Sequence, residues 1–446
     1  MPLSDRLLQA ILSRSLTHPR VDALLKTRHD WWRRARNKPH QVVVWLSLTD
    51  PYSYLLIQTL PKFVAQFNIQ LIFKILPYQE PDQYFSYYLR DAWHLANFHQ
   101  LQFHHFHAPS QEQCLVASQL LLGNRHLPTE DFLTLAKQTF LCLWEHQHQK
   151  LTMLGLRFNL LSLPTTRQKL QQAQALFEYY HQHKAAMLFY QGQWFHGIEE
   201  LDFLAQQLSQ QQLNINNTPF VLHELEHHHE QKYLINDSQQ LAMIRAQKHE
   251  LDYYFCFHHP VAYIYLVAVA QLADYYQINL RLKPVLMYQP QVLYSSLQWS
   301  QQLAHLQYLA DAYDIQLTRH PVLSEQGLHH CLALFNTAQT PEQSLTITLC
   351  LLRAIWGEGK DASHLAHLKS ALQSIDYETN TLKAELKNSL WQSTIEQNTS
   401  TWLALDLPEL PSFYLQGERR ISFCGRQRLW AIEMALIDNI KDLPKT

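Results

Sequence analysis

Six cysteines are the first residues in this chain of 446 residues whose side chains could carry out chemistry. They stand singly, and no two of them form the C-x-x-C pair that disulfide exchange or a zinc ribbon uses. Scattered single cysteines are typical of a reducing compartment, where a thiol behaves as a small apolar side chain. The sequence therefore predicts buried free cysteines at Cys114, Cys142, Cys256, Cys331, Cys350 and Cys424.

A second chemical pattern is His223-Glu-Leu-Glu-His227, which matches H-E-x-x-H. On a buried helix this spacing places two imidazoles on one face for zinc and leaves Glu224 as general base. The chain holds 27 histidines, so an accidental match is the favoured alternative. The run continues as His228-His229-Glu230 and is charged all round rather than apolar on one face. We therefore expect no metal cofactor.

The third pattern is a pair of helix starts marked by proline. Gln41–Leu48 is a β-rich apolar run that predicts a buried strand. Asp50 as N-cap and Pro51 at the first helical position then open a helix that extends to about Phe67. A second strand is predicted at Ile69–Leu76, and the resulting β-α-β unit implies parallel strands.

The same signals return in the second half of the chain. A strand is predicted at Leu251–Phe257, a break at His258-His259-Pro260 and a partner strand at Ile278–Leu286. Near the end of each half, Leu188–Gly197 corresponds to Phe413–Gly425. We interpret the chain as one unit of about 170–190 residues that is used twice, since so long a period indicates duplicated domains.

The elements between these signals complete the predicted fold. Each half closes with a β-hairpin, which turns at Gly192 or Gly417 and precedes an amphipathic helix. Trp93, Trp144 and Trp356 are predicted core anchors of the helical stretches. The predicted fold class is α/β, with two thioredoxin-like domains of order β-α-β then β-β-α, each with an all-helical insertion. The predicted segments are a helical segment at 1–40, a first domain at 41–212 with an insertion at about 78–183, a connector at 213–250, and a second domain at 251–440 with an insertion at about 288–405.

The composition and charge of the chain exclude some classes of protein and partner. The formal net charge is −2, with 47% hydrophobic and 17% charged residues, as expected of a globular protein. This charge balance gives no reason to expect a nucleic acid or a membrane as partner. Asp5, Arg6 and Arg14 interrupt the N-terminal residues, which lack the apolar stretch of a signal peptide. We expect a soluble, cytoplasmic protein.

Several motifs carry a family resemblance. Asp50-Pro51-Tyr52-Ser53-Tyr54 resembles the S-P-Y-S-Y signature of 2-hydroxychromene-2-carboxylate isomerases, which belong with kappa-class glutathione transferases in the DsbA-like superfamily. Tyr88, Asp91 and Ala96 fit a further family element, and so do Ala354–Asp361, Leu410–Phe413 and Phe423–Leu429. The resemblance covers the chain from about residue 41 to residue 440 except the joining segment.

The resemblance implies glutathione as co-substrate. In the family, a Ser or Cys at the helix start handles the thiol, because unpaired N–H groups and the helix dipole stabilise a thiolate there. A cis-proline pairs with the cysteinyl group of glutathione, and an Asp-Arg pair holds its γ-glutamyl end. The matching positions in this chain are the catalytic candidates Asp50, Ser53 and His259 and the glutathione-binding candidates Thr49, Pro51, Tyr52, Glu199, Leu410, Pro411, Ser412 and Arg428.

The chain departs from the family pattern in both halves. Asp50 replaces the Ser or Cys in the first half, and its charge would repel a thiolate, so helix capping is the favoured alternative. The hydroxyl of Ser53 or Thr49 could donate to a thiolate or simply cap the helix. In the second half His259 takes this position, as a neutral base or donor or as a surface histidine. Ala185-Ala186 stands where the second half has Pro411, and we expect a trans backbone there.

Two function hypotheses follow. One is a glutathione-dependent isomerase or transferase, with a small molecule or a glutathione conjugate as ligand. The alternative is a catalytically inactive binding or scaffold protein that kept the fold. A dithiol oxidoreductase is disfavoured, because neither Cys256 nor Cys424 lies at a helix start. The sequence leaves open the substrate, a composite site of both halves, and the oligomeric state.

Overall fold

The architecture was determined from a computed structural model of the full chain. Most of the predicted N-terminal helical segment and the H-E-x-x-H run lie outside the residues that it describes. The described residues are 39–104, 107–180, 182–216, 220, 233–235, 237–286, 306–307, 309–311, 313–318, 323–380, 382–417, 421–425 and 428–441. The chain divides into two compact units, one within residues 22–230 and one that contains residues 231–446.

The first unit is built on a four-stranded sheet with the order β2-β1-β3-β4. β1 pairs in parallel with β2 and antiparallel with β3, and β3 pairs antiparallel with β4. One face of the central strand β1 is fully covered, since Val42, Val44 and Leu46 have no exposed surface. The strands are β1 (Gln41–Leu46), β2 (Gln70–Ile75), β3 (Met187–Tyr190) and β4 (Gln193–His196).

Helices fill the intervals of this sheet. α1 connects β1 to β2, α7 follows β4, and the remaining helices lie between β2 and β3, where the sequence predicts the insertion. A cluster of Trp45, Leu76, Phe177 and Met187 packs the last insertion helix against the sheet. The helices are α1 (Pro51–Val64), α2 (Phe85–Phe98), α3 (Gln111–Gly123), α4 (Thr129–Trp144), α5 (His148–Arg157), α6 (Leu163–Tyr179) and α7 (Leu201–Gln210).

The second unit repeats the same sheet order, as β6-β5-β7-β8. β5 again pairs in parallel with β6 and antiparallel with β7. A short helix, α8 (Ser238–Ala246), precedes β5, and one extended core packs around the sheet. The strands are β5 (Glu250–Phe255), β6 (Asn279–Pro284), β7 (Ser412–Gln416) and β8 (Ile421–Cys424).

The helices of the second unit follow the order of the first. α9 connects β5 to β6, α15 follows β8, and a π-helical turn at Arg353–Gly357 extends α11. The helices are α9 (Pro260–Tyr276), α10 (Glu325–Phe335), α11 (Pro341–Leu352), α12 (Leu365–Leu372), α13 (Leu382–Glu385), α14 (Trp391–Ala404) and α15 (Leu429–Lys441). Every helix in the described ranges is too short or too polar to cross a lipid bilayer.

The predicted fold class is confirmed: each unit has the β-α-β then β-β-α order with a helical insertion. Element ends differ in detail, because α1 ends at Val64 and its last turn tightens into bonds from Gln66 N to Phe63 O (3.1 Å) and from Phe67 N to Val64 O (3.2 Å). The first hairpin turns at Gln191-Gly192, both with positive φ, as a two-residue hairpin requires. The connection after Gly417 runs through residues outside the described part.

Two of the three tryptophans that were predicted as core anchors are buried, and the third is exposed. Trp144 and Trp356 are buried, with 2% and 5% of their surface exposed. The prediction for Trp93 is wrong, since 37% of this side chain is exposed. Trp93 lies on α2, whose buried side contains Tyr87, Leu89, Ala92, Leu95 and Ala96, and it falls outside that stripe.

Candidate functional site

The start of α1 is organised by Asp50. Its backbone is extended (φ −93°, ψ 121°), and Pro51 occupies the first turn. One carboxylate oxygen, Oδ2, accepts hydrogen bonds from both the N–H and the hydroxyl of Ser53, each at 2.7 Å. Burial raises the pKa of Asp50 to about 6, while the bonds from Ser53 act in the opposite direction. A carboxyl group with this pKa can exchange a proton near neutral pH.

Ser53 faces the interior, and none of its surface is exposed. Its hydroxyl donates to Asp50 and accepts the N–H of Ser47 at 3.1 Å. The hydroxyl of Ser47 lies 3.1 Å from that of Thr49, and both side chains are buried. Ser53 and Thr49 therefore have hydrogen-bond partners inside the protein. At this helix start, the Asp50 carboxyl is the group whose pKa is raised above its ordinary value.

Tyr52 forms the other side of this helix start. Its hydroxyl donates to Oδ2 of Asp91 at 2.6 Å, and Asp91 is 3% exposed. The Tyr52 ring also lies 5.8 Å from the His196 ring, between centroids. The backbone N–H of His196 donates to Glu200 at 2.7 Å. His196 therefore connects Tyr52 at the start of α1 with Glu200 before α7.

The start of α9 has the same backbone with a different cap. His259 is extended (φ −116°, ψ 124°), precedes Pro260, and accepts the N–H of Val261 on Nδ1 at 3.3 Å. The cap of this helix start is therefore a ring nitrogen. Ala262 stands where Ser53 stands in the first unit, so this start offers a ring nitrogen in place of a carboxyl and a hydroxyl.

The edge that precedes β7 contains a cis peptide bond between Leu410 and Pro411. The N–H of Gly425 donates to Pro411 O at 3.0 Å, as the N–H of Gly197 donates to Ala186 O at 2.8 Å in the first unit. Ala186 has a left-handed backbone with φ 54°. The two units therefore share this hydrogen bond although only one has the proline.

The remaining candidates are Ser412 and Arg428 in the second unit, which are buried, and Glu199 in the first unit. The Ser412 hydroxyl accepts from Trp402 Nε1 at 3.1 Å and donates to Glu409 O at 2.6 Å. Arg428 is only 4% exposed, directly before α15. Glu199, in the first unit, is half-buried before α7. Ser412 is therefore fixed by internal bonds, and Arg428 is a buried cation at the start of a helix.

The cysteines agree with their prediction as buried free thiols. Burial raises the pKa of Cys114 to about 12 and also raises that of Cys142 and Cys331. Raised pKa values oppose thiolate formation, which disulfide exchange requires. No group of three or more His, Cys, Asp or Glu side chains suited to a metal ion occurs among the described residues.

Sequence reasoning missed two participants. Ser47 was not singled out, yet its N–H and hydroxyl bind Ser53 and Thr49. Asp91 was noted as a motif residue, but its bond to Tyr52 was not foreseen. The only sequence signal for Ser47 is its place at the end of a buried strand, which does not specify a partner.

Comparisons with known proteins found a family model for the second unit and several similar solved structures. Residues 250–436 match the family model of the DSBA-like thioredoxin domain. No curated protein matches the sequence. Three similar solved structures are 2-hydroxychromene-2-carboxylate isomerase (17% identity, TM-score 0.37, 43% of this chain and 96% of that one), a putative protein disulfide isomerase from Nitrosomonas europaea (13%, 0.36, 43% and 97%) and the cytosolic disulfide reductase DsbM from Pseudomonas aeruginosa (12%, 0.34, 43% and 97%).

Proposed function

We propose that the chain is a glutathione-dependent isomerase or transferase that works at the start of α1. Residues 250–436, in the second unit, match the model of the DSBA-like thioredoxin domain, and the first unit, which contains α1, has the same strand order. The proposal includes a cytoplasmic location and a duplicated origin of the two units, of which the first retains the working helix start. The observation that carries it is the carboxyl group of Asp50, which replaces the serine of the isomerases and has a pKa of about 6.

A thiol fits this helix start in a specific protonation state. An ionised Asp50 beside a thiolate would place two negative charges together, which is unfavourable in a partly buried site. A neutral thiol and the Asp50 carboxylate together have one proton and one negative charge. The proton can lie on either group. The positive end of the α1 dipole stabilises that single charge on either group.

The residues around Asp50 support proton transfer. Glutathione, when bound, supplies the thiol. Asp50 accepts the thiol proton, and the Ser53 N–H and hydroxyl hold the carboxyl in place. The sulfur keeps the electron pair of the broken S–H bond and forms a C–S bond with an electrophilic carbon of an unsaturated substrate. Asp50 then returns its proton to the substrate, so that atoms and charge balance. Elimination of the thiol gives isomerisation, and release of the adduct gives transfer.

The first experiment is calorimetric titration of glutathione and S-hexylglutathione into the full chain and into its Asp50→Asn variant. Asn keeps the capping oxygen but cannot take a proton. We expect glutathione binding to weaken about tenfold in the variant and S-hexylglutathione binding to change little, because the thioether has no proton to give. His259→Ala, at the matched position of the second unit, serves as control and is expected to leave both affinities unchanged.

A second measurement follows thioether formation from glutathione and 1-chloro-2,4-dinitrobenzene as a function of pH. We expect the rate to rise with an apparent pKa near that of Asp50 and to lose this dependence in Asp50→Asn. Absence of binding heat for both ligands, or equal glutathione affinity in the wild type and the variant, would contradict the proposal.

A second candidate function is a non-catalytic binding protein, and one observation favours it. At each helix start the capping side chain already accepts a backbone N–H of its own helix. Asp50 accepts that of Ser53, and His259 accepts that of Val261. A chain that binds neither glutathione ligand and shows no thioether formation, but folds cooperatively, would favour this second function.

A further inference from the structure

A corner between two insertion helices of the first unit exposes an unusual number of apolar side chains. Met153 and Leu156 on α5, Leu160 in the connection and Leu163 at the start of α6 are 64%, 79%, 43% and 38% exposed. We call these four residues the α5–α6 corner. Adjacent exposed apolar side chains are a mark of an interaction surface, whereas single ones are ordinary.

The corner is held in place by hydrogen bonds. Asn124 Nδ2 donates to Asn159 O at 2.8 Å, and Asn159 N donates back to Asn124 Oδ1 at 3.3 Å. Gln119 Nε2 donates to Leu161 O at 2.9 Å. Gly123 packs against the carbonyl of Asn159 so closely that a Cβ atom would overlap it. The corner is therefore a preformed surface and not a loop that has to fold on binding.

The charged side chains of the segment that forms the corner are all basic. The sequence from His146 to Phe177 contains no Asp or Glu. Lys150, Arg157 and Arg167 in this stretch are exposed, and none of them forms an ion pair with a described residue. On α5, Lys150, Met153 and Arg157 recur at the spacing of one helix face, so cations and apolar groups share one surface.

A further group of cations adds to this field. The pKa of Lys74 on β2 is lowered by burial and by the nearby positive charges of Arg125 and Lys169. Arg125 directly follows Asn124, whose side chain binds the corner, and Lys169 lies on α6. No ion pair among the described residues neutralises these three side chains. Like charges held together without a counter-ion favour an anionic partner.

The second unit shows that the fold itself does not require this surface. The segment between α12 and α14 takes the matching place and also exposes an apolar side chain, Leu390, at 68%. It carries Asp376, Glu378 and Glu385 among its lysines, so its charge is mixed. Of these two matching segments, only the one in the first unit combines exposed apolar side chains with cations alone.

We propose that the α5–α6 corner is a docking surface for an acidic amphipathic helix of a partner protein. Its leucines would receive the apolar face of such a helix, and the surrounding Lys and Arg side chains would pair with Glu or Asp on its edges. One helix is enough to cover the corner, because its four apolar side chains lie within the eleven residues from Met153 to Leu163.

The test uses the full chain and a fluorescently labelled peptide with Leu at helical spacing and Glu elsewhere. Fluorescence anisotropy is measured against a peptide in which every Glu is replaced by Lys, and against vesicles of phosphatidylcholine and phosphatidylserine. We expect the acidic peptide to bind and the basic one not to bind. Raising the salt concentration from 50 to about 500 mM should weaken binding several-fold.

Variants locate the binding surface. Leu156→Ser with Leu160→Ser, and separately Arg157→Glu with Arg167→Glu, are each expected to weaken binding at least about tenfold. Leu390→Ser with Lys383→Glu in the second unit is the matched control and should have no effect. Circular dichroism establishes that each variant is folded.

Four outcomes would overturn the proposal. These are no binding of the acidic peptide, equal binding of both peptides, an equal loss in the second-unit control, and preferential binding to the anionic vesicles. A fifth outcome would also overturn it: self-association of the free chain, measured by sedimentation and abolished by the Leu156→Ser and Leu160→Ser pair, would identify the occupant as a second copy. None of these results depends on glutathione, so this proposal and the proposed activity fail separately.

Discussion

The starts of α1 and α9 have the same backbone but different chemistry. Both follow a buried central strand, both begin with a proline, and both have an extended cap residue. Asp50 caps with a carboxyl group of raised pKa, whereas His259 caps with a ring nitrogen. The difference teaches that the proline and the strand packing specify the helix start, while the side chain that closes it is free to change.

The central strands differ in the same way. Val43 and Ile72 pair across β1 and β2, and Asp252 and Arg281 take these places on β5 and β6. Arg281 donates to both carboxylate oxygens of Asp252, at 2.6 and 2.9 Å. An apolar pair and an ionic pair therefore occupy the same register positions in two sheets of identical order.

The largest effect is expected at this ion pair. Asp252→Ala should destabilise the second unit by about 2–3 kcal/mol, because the partly buried Arg281 loses its two-point partner. Urea denaturation followed by circular dichroism measures the loss. Val43→Ala in the first unit is the matched control and should lose about 1 kcal/mol or less, as half-buried apolar truncations do. Equal losses would show that the ionic pair contributes no more than the apolar one.

The next effect concerns pH. Because the folded Asp50 has a pKa of about 6 and the ordinary value is 3.8, the folded state holds this proton more tightly than the unfolded state. Its contribution to stability is complete below pH 4 and is lost as pH rises to about 6. Asp50→Asn should remove this decline and be more stable than the wild type at pH 7.5, by about 1–2 kcal/mol.

Urea midpoints between pH 4 and pH 8 measure this slope, with His259→Asn as the control at the matched position. Parallel curves for the wild type and Asp50→Asn would mean that Asp50 titrates normally.

A smaller difference is expected between two buried tryptophans. Trp356 Nε1 donates to Phe257 O at 3.0 Å, whereas the buried Nε1 of Trp144 has no partner among the described residues. Trp356→Phe should therefore cost about 1 kcal/mol more than Trp144→Phe, because it leaves a buried carbonyl unpaired. Thermal unfolding of both variants measures the difference. A larger loss for Trp144→Phe would contradict the assignment of these partners.

The smallest effect is expected at Ser53. Ser53→Ala removes the hydroxyl that donates to Asp50 and accepts from Ser47, and we expect a loss of about 1 kcal/mol. The pKa of Asp50 should rise further, since the hydroxyl stabilises its ionised form. Carboxyl ¹³C chemical shifts as a function of pH report that pKa. An unchanged or lower value would remove Ser53 from the site, and Ala262→Ser in the second unit provides the reciprocal control.

The sequence predicted the elements around the site better than the contacts within it. Pro51 and Pro260 placed both helix starts, because proline at the first helical position and a capping residue before it are local signals. Gly192 placed the first hairpin for the same reason, since its turn requires positive φ. The exposure of Trp93 was not predicted, because helical spacing alone does not say which tryptophan faces the core.

The sequence by itself determined the fold class, the repeated strand order and the absence of a C-x-x-C pair. These features depend on residues a few positions apart or on patterns that recur along the chain. Only the tertiary structure decided that Ser53 faces Ser47 and Asp50, that Tyr52 binds Asp91, and that the apolar side chains of the α5–α6 corner are exposed. The physical reason is that burial and partners are set by packing between distant segments, which no local pattern encodes.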